Sequence, residues 1–144
     1  MKINLAELED SREILKLLNN SKELQTTYGK LDYDLNWVKS VIVNKKLCLY
    51  LVAKEKNEIA GALISYLFPA AKESFTIDLI VKKKFRGKGI AIKLNKEYEK
   101  TLKKRGFNEI FSFVLTDNKK MQKLKTKLNY KRGKKFYFYR KDLK

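Results

Sequence analysis

Residues 80–91 read Ile-Val-Lys-Lys-Lys-Phe-Arg-Gly-Lys-Gly-Ile-Ala, passing from an apolar segment through three lysines into a turn with two glycines. Apolar residues then recur at 90, 94, 98 and 102, a spacing typical of one face of an α-helix. The stretch predicts a strand, a glycine turn and the start of a helix. Glycines there let the N–H groups at the helix N-terminus approach an anion such as phosphate. The glycine spacing alone is equally compatible with an ordinary strand-to-helix turn.

The rest of the chain predicts strands and helices around this turn. Asp10 and Glu13 have capping-box spacing before a first helix, and Asp34 can cap a second one. Thr116 or Asp117 can cap the last helix. The predicted strands span 1–8, 47–54, 58–68, 75–81, 108–115, 130–132 and 135–141.

The resulting order, β-α-α-β-β-β-α-β-α-β-β, predicts one α/β (α+β) domain over residues 1–144. Its central sheet is mixed and mostly antiparallel, with six to seven strands and about four helices. A right-handed crossover makes the strands at 75–81 and 108–115 parallel, so the glycine turn lies at the carboxyl end of a strand. The aromatic residues at 136–139 are expected to alternate across the last strand, one pair buried and one pair exposed.

The composition excludes several kinds of chemistry. The chain has no histidine and one cysteine, which removes Ser-His-Asp and Cys-His catalysis and argues against a metal site. Cys48 lies in an apolar run and is read as a buried core residue. No apolar run approaches the ~18 residues that span a bilayer, and the first residues lack a signal-peptide pattern. A soluble, cytoplasmic protein without a membrane partner is expected.

The positive charge is concentrated in the second half of the chain. The formal net charge is +18, and residues 73–144 hold 23 of the 34 Lys and Arg against 7 of the 16 Asp and Glu. Such a surface attracts polyanions, including phosphorylated cofactors and nucleic acid. A lysine-rich solvated surface explains the same composition, so charge alone does not assign a partner.

The residues around the glycine turn resemble a known family. Leu79-Ile80-Val81, the turn at 86–91 and the order of elements together are similar to the GNAT family of N-acetyltransferases. Positions 86, 89 and 91 match its signature of Arg or Gln, two residues, Gly, one residue, then Gly or Ala. Asn118, and Leu128-Asn129-Tyr130 where the family ends its last helix with a Leu-Gly-Phe-like sequence, extend the resemblance over nearly the whole chain.

The resemblance implies that acetyl-CoA binds as co-substrate. Backbone N–H groups of the turn would bind the pyrophosphate, and residues 79–81 would pair with the acyl carbonyl and the pantetheine arm as with an added strand. The strands at 75–81 and 108–115 would separate to admit it. The implied cofactor-binding residues are Leu79, Ile80, Val81, Arg86, Gly87, Lys88, Gly89, Ile90, Ala91, Ile92 and Asn118.

The resemblance also implies direct attack of an amine on the thioester, with the Leu79 N–H as a candidate oxyanion donor. Many members of the family have a glutamate where this chain has Ile77 and a tyrosine where it has Lys125. The neighbouring Asp78 is a candidate general base, directly or through water, or a capping or ion-pairing residue; on a regular strand it faces away from Ile77. Lys125 could protonate the thiolate, hold a CoA phosphate or be solvated.

The acceptor is expected to be an amine-bearing small molecule or a protein or peptide. Tyr28, Tyr33 and Trp37 lie where the family's helix-loop-helix borders the acceptor site, although such aromatic residues also serve as core or loop packing. The short turn near Gly133 favours a peptide N-terminus or a lysine. Two alternatives stay open: a GNAT fold that binds CoA without catalysis, and a basic nucleic-acid-binding module with base-stacking aromatic residues.

Overall fold

The computed structural model describes residues 1–21 and 33–143. The strands are β1 (Lys2–Leu5), β2 (Cys48–Glu55), β3 (Glu58–Phe68), β4 (Glu73–Val81) and β5 (Glu109–Ser112). The helices are α1 (Ser11–Asn19), α2 (Leu35–Val43), α3 (Ile90–Lys104) and α4 (Lys119–Lys127), with short 3-10 turns at Leu8–Asp10 and Lys83–Phe85. This arrangement confirms the predicted mixed α+β fold.

The five strands form one sheet in the order β1-β2-β3-β4-β5. Neighbouring strands are antiparallel except β4 and β5, which pair in parallel from Glu73↔Glu109 to Thr76↔Ser112. Helix α3 connects these two strands, as a parallel crossover requires. The predicted parallel pair is therefore confirmed, and the glycine turn lies at the carboxyl end of β4.

The sheet has five strands in the described part of the chain rather than six to seven. Residues 130–132 and 135–141, which the sequence predicts as strands, have no regular structure. The four aromatic residues at 136–139 are all exposed, so the expected alternation of buried and exposed pairs is wrong. Aromatic strand propensity depends on packing against neighbouring strands, and among the described residues this segment pairs with no strand of the sheet.

Alternating side chains of the central strands fill two cores, one on each face of the sheet. Tyr50, Val52 and Ile64 pack with α1 and α2, whereas Leu51 and Leu63 pack with α3. Helix α3 contributes the side chains that recur every fourth residue: Ile90, Leu94, Tyr98 and Leu102, all of them buried. The four-residue spacing of apolar residues in the sequence thus predicts the buried face of this helix correctly.

The start of α1 differs from the prediction. The Asp10 carboxylate accepts the Glu7 N–H at 2.9 Å and closes the 3-10 turn instead of capping α1 through its side chain. Glu13 makes no capping box; its Oε1 accepts the Ile59 N–H at 2.9 Å and lies 2.6 Å from Lys82 Nζ. The residue that the sequence placed in a capping box, Glu13, instead connects α1 to the sheet.

The other two helix caps follow the sequence more closely. Asp34 caps α2, accepting the N–H three residues later at 2.8 Å, as predicted. Asn118, not Thr116 or Asp117, caps α4 with a bond of 3.1 Å to the N–H three residues later. The cap is Asn118 because the turn after β5 ends later than the polar residues Thr116 and Asp117 indicate.

Two further expectations concern the core and the membrane. Cys48 is buried, with 7% of its surface exposed, which confirms its assignment to the core. Within residues 1–21 and 33–143, no helix is both long and apolar enough to cross a bilayer.

Candidate active site

The site is created where β4 and β5 separate. Their last pair is Thr76↔Ser112; β5 ends there, but β4 runs on to Val81 along β3. The edge of β4 at 77–81 therefore has no strand beside it in the described chain. A narrow cleft of about 90 Å³, here called the β4–β5 cleft, lies between β4, residues 112–115 and α4. The predicted splaying of these two strands is present.

A β-bulge in β4 orients the side chains beside the cleft. Ser65 pairs with Thr76 and Ile64 pairs with Asp78, so Ile77 lies outside the register. The extra residue inverts the alternation of faces. Thr76 Oγ1 reaches the hydroxyl of Tyr98 on α3, at 3.4 Å, whereas Asp78 faces α1 and α2.

The inversion corrects one sequence-based expectation. Ile77 packs against the α1–α2 core, and Asp78 contacts Tyr33, which packs against the same core. Asp78 therefore does not face away from Ile77, as a regular strand would require, because the bulge places both on one side. A carboxylate can thus reach the region where many members of the family have a glutamate one position earlier.

The glycine turn has the backbone geometry of an anion site. Gly87 has φ +79° and Gly89, the residue before the first turn of α3, has φ +73°. An added Cβ at either glycine would meet no atom within 4 Å, so conformation, not space, requires glycine here. The N–H groups of the first turn of α3 have no partner within the helix and carry the positive end of its dipole.

Ion pairs and hydrogen bonds hold the cationic residues before the turn. Lys82 Nζ lies 2.6 Å from Glu13 and 3.1 Å from Glu58, and Lys84 Nζ lies 2.7 Å from Glu58. Arg86 Nε donates to the Val81 carbonyl at 3.0 Å. These contacts fix the turn against α1 and β3, so two of its lysines serve a structural role.

Asp78 is a buried carboxylate at the edge of the β4–β5 cleft. It is 6% exposed, and its Oδ2 accepts the Tyr33 hydroxyl at 3.0 Å. Burial raises the pKa of Asp78 to about 6, although the hydrogen bond from Tyr33 acts in the opposite direction. A carboxylate with this pKa exists in both protonation states near neutrality, which is the property required of a general base.

Lys125 lies on the opposite wall of the same cleft. It is 8% exposed, its Nζ has no hydrogen-bond partner among the described residues, and it lies 4.1 Å from the centre of the Tyr130 ring. Burial lowers the pKa of Lys125 to about 8, although the charge of Glu99 acts in the opposite direction. The solvated alternative for this lysine is excluded, and its ammonium can donate a proton into the cleft.

The remaining predicted residues fall into three groups. Asn118 lines the cleft with its side-chain oxygen engaged in capping α4. Tyr33 and Trp37 stack with ring centroids 4.7 Å apart beside Asp78. Tyr28 lies outside the described residues.

Residues 1–21 and 33–143 contain no group of three His, Cys, Asp or Glu side chains that could hold a metal ion.

The sequence analysis did not single out two further residues near the site, Tyr50 and Gly61. Tyr50 looks like a core residue in an apolar run, yet its buried hydroxyl has no hydrogen-bond partner among the described residues. Gly61 lies inside β3, where an added Cβ would be 2.8 Å from the Ile80 carbonyl oxygen and 3.2 Å from Ile90. A glycine within a strand indicates a close approach, but only the folded chain shows that the approach is to the turn.

The sequence matches the profile of the acetyltransferase (GNAT) family over residues 11–130, and the chain belongs to this family. No curated protein sequence matches it.

Solved structures of similar fold cover nearly all of the chain. A ribosomal-protein-alanine N-acetyltransferase from Brucella melitensis biovar Abortus 2308 has 19% identity and a TM-score of 0.75, over 97% of this chain and 99% of that one. An aminoglycoside acetyltransferase from an uncultured soil metagenomic sample, in complex with sisomicin, has 18% identity and a TM-score of 0.80, over 99% and 96%. The PaiA N-acetyltransferase from Thermoplasma acidophilum, in complex with coenzyme A, has 20% identity and a TM-score of 0.74, over 88% and 87%.

Proposed function

We propose that this protein transfers the acetyl group of acetyl-CoA to an amine by direct attack in a ternary complex. The observation that carries the proposal is the separation of β4 and β5 beside a glycine turn at the N-terminus of α3. Family membership supports the same reaction class. The sequence further predicts a cytoplasmic location.

The described residues fit acetyl-CoA in two ways. The edge of β4 at 77–81 offers backbone groups to an extended acyl-pantetheine arm, which would occupy the place of a strand. The turn from Arg86 to Ile92 offers N–H groups to the pyrophosphate, with Gly87 and Gly89 in the left-handed conformation. The turn begins directly after β4, so the two features lie next to each other in the fold and one extended cofactor can contact both.

Three groups of this chain account for the chemistry. Asp78 accepts a proton from the acceptor ammonium, directly or through water, and the free amine forms a C–N bond with the acetyl carbonyl carbon. The Leu79 N–H stabilises the negative charge on the carbonyl oxygen. As the C–S bond breaks, Lys125 donates its proton to the departing CoA thiolate. The nitrogen, which is positively charged after it attacks, loses its second proton through water to the now neutral Lys125, and Asp78 later releases its proton to solvent. An ammonium and acetyl-CoA thus give an amide, free CoA thiol and one proton, so the reaction balances.

The test of cofactor binding is calorimetry with acetyl-CoA at low salt. We expect saturable binding to the wild type and at least about tenfold weaker binding to Gly89→Val, since a β-branched residue at φ +73° strains the turn. Gly133→Val is the matched control, because no atom lies within 4 Å of an added Cβ there and its φ is not positive. Absence of wild-type binding at millimolar acetyl-CoA would contradict the proposal.

Release of free CoA thiol then separates an enzyme from a CoA-binding protein without catalysis. Thiol release that depends on an added amine supports transfer. Binding of acetyl-CoA without thiol release from any of a broad set of amines would favour the non-catalytic alternative. Tight RNA or DNA binding with a steep salt dependence, and no CoA binding, would favour the nucleic-acid-binding module.

A further inference from the structure

A row of three residues crosses the sheet on the face that carries α1 and α2. Tyr50 pairs with Ile64, and Ile64 pairs with Asp78. Directly paired residues point to the same face of a sheet, so the phenol and the carboxylate lie on the two sides of one isoleucine. The bulge at Ile77 is what brings Asp78 onto this face.

The hydroxyl at one end of this row lacks a partner. Tyr50 is 4% exposed, and its hydroxyl oxygen is buried without a hydrogen bond to any described residue. A buried polar group without a hydrogen bond destabilises the folded state, because it has lost its contacts with water. A bound ligand that forms a hydrogen bond with this hydroxyl would satisfy it. Burial first, and the charge of Asp78 second, raise the pKa of the Tyr50 hydroxyl, so the carboxylate lies within electrostatic range of it.

Aromatic rings lie on the same side of the sheet as the carboxylate. Tyr33 donates to Asp78 at 3.0 Å and stacks on Trp37, with ring centroids 4.7 Å apart. Tyr66 shares a face of β3 with Ile64 and is 37% exposed, so it lies at the open side of this group. Aromatic faces attract an ammonium group, and the attraction grows when water is excluded.

We propose that Asp78, Tyr50 and the rings of Tyr33, Trp37 and Tyr66 form the acceptor site, and that it takes a single ammonium group on an apolar or aromatic body. This inference rests on the proposed function and specifies its substrate class. The ammonium donates to the carboxylate and to the Tyr50 hydroxyl oxygen, and the rings pack against the adjoining carbon atoms.

The charges argue against a polycationic acceptor. Asp78 is the carboxylate that contacts a ring of the described site, through Tyr33, whereas the Asp34 carboxylate caps α2 in an exposed hydrogen bond. A second or third ammonium would meet a protein with a formal net charge of +18. An amine with one charge is attracted to the carboxylate without that cost.

The test compares acceptors at saturating acetyl-CoA. Phenethylamine represents a small amine, and phenylalanyl-alanine amide represents a peptide N-terminus whose ammonium is its one charge. Spermidine and an oligolysine peptide represent the polycations. We expect kcat/KM at least about tenfold higher for one or both monocationic acceptors than for either polycation. Comparison of kcat/KM for the two monocationic acceptors shows whether the site prefers a small molecule or a peptide N-terminus. Preference for spermidine or oligolysine would overturn the inference.

The Tyr50→Phe variant tests the site itself, since it removes one oxygen and keeps the ring. We expect the KM of the preferred monoamine to rise about five- to tenfold, with the acetyl-CoA Kd unchanged. The unfolding temperature should stay the same or rise, because the variant removes a buried hydroxyl that has no partner among the described residues. Tyr139→Phe is the matched control, because Tyr139 is 88% exposed on the terminal segment. An unchanged acceptor KM in Tyr50→Phe would overturn the assignment of this hydroxyl.

Failure of the two proposals can be told apart. Without acetyl-CoA binding, the proposed function itself fails. If acetyl-CoA binds but no amine is acetylated, calorimetry of phenethylamine with the CoA-bound protein decides the inference. Binding that Tyr50→Phe weakens supports the site, and no binding overturns it.

Discussion

Asp78 and Lys125, on the two walls of one cleft, have pKa values shifted in opposite directions by the same cause, burial. Burial disfavours the charged form of each side chain. It therefore raises the pKa of the Asp78 carboxyl group to about 6 and lowers the pKa of the Lys125 ammonium to about 8. Their environments thereby place a proton acceptor and a proton donor on either side of neutrality. Both residues are titratable, buried and adjacent to a cleft, the combination that marks candidate catalytic groups.

The first prediction concerns the pH dependence of kcat/KM. Asp78 must be deprotonated to act as base and Lys125 protonated to act as acid, so activity should rise through pH about 6 and fall through pH about 8. The maximum is expected near pH 7. In Lys125→Met the residual activity should lose the alkaline fall. A fall near pH 8 that persists in this variant would remove Lys125 from the role of acid.

The second prediction concerns stability. The folded-state pKa of Asp78 lies above its ordinary value of 3.8, so its stabilising contribution is complete below about pH 4 and is lost as pH rises through about 6. Asp78→Asn removes this titration. The variant should therefore gain stability relative to the wild type between pH 4 and 7, by about 2–3 kcal/mol from the size of the shift. Urea denaturation at both pH values measures it.

An exposed carboxylate provides the control for this second prediction. Asp142 is 68% exposed in its side chain and pairs with Arg140 at 2.9 Å. Asp142→Asn should show a stability difference from the wild type that is the same at pH 4 and pH 7. An equal pH dependence in both variants would mean that the change does not come from the buried site.

At the scale of elements, β4 depends on a glycine in the strand beside it. An added Cβ at Gly61 would lie 2.8 Å from the Ile80 carbonyl oxygen and 3.3 Å from Val81. Backbone atoms cannot rotate away from such a contact, so β3 and β4 would have to move apart. The carboxyl end of β4, where the cofactor is proposed to pair, would move with them.

The third prediction follows from this contact. Gly61→Ala should lower the free energy of unfolding by about 1–3 kcal/mol, as overpacking in a close-packed region does. Gly133→Ala should change it by less than about 0.5 kcal/mol, because an added Cβ there meets open space. Chemical denaturation of the two alanine variants beside the wild type measures both. Equal stability of the two variants would show that β3 and β4 adjust freely.

The ion pairs of Lys82 connect three elements that are distant in sequence. Lys82 before the glycine turn lies 2.6 Å from Glu13 on α1 and 3.1 Å from Glu58 at the start of β3. Glu13 also accepts the Ile59 N–H, so its carboxylate joins α1 to the sheet. This cluster orients the chain as it leaves β4 and enters the cofactor turn.

At the scale of the whole molecule, the charge acts differently on the two proposed substrates. The field of a protein with formal charge +18 attracts the multiply charged anion acetyl-CoA and repels a cationic acceptor. Most of that charge lies in the half of the chain that contains the glycine turn and α4. Long-range attraction therefore favours the cofactor, and short-range contacts with Asp78 must hold the acceptor.

The fourth prediction uses salt to separate these effects. Raising NaCl from about 50 to 500 mM shortens the Debye length from about 14 to 4 Å, so acetyl-CoA binding should weaken about three- to tenfold. The KM of a monocationic acceptor should stay constant or fall, because repulsion by the field is screened too. Calorimetry and steady-state kinetics measure the two effects. Parallel weakening of both substrates would contradict this account.

The sequence predicted most of the framework because local patterns determine it. The four-residue apolar repeat identified the buried face of α3, and Asp34 identified the start of α2. The strand-turn-helix unit around Gly87 and Gly89 was likewise readable, since positive φ values select glycine. The two terminal strands were predicted wrongly because strand formation needs a neighbour that local sequence does not show.

What the sequence by itself determined is the order of elements, the parallel crossover and the glycine turn, because each follows from short-range propensity and chain connectivity. Only the tertiary structure decided which side chains meet. The bulge at Ile77 placed Asp78 on the side of Tyr33, and packing buried Lys125 beside the same cleft. Face, burial and pKa depend on residues far apart in sequence, so they arise only when the chain folds.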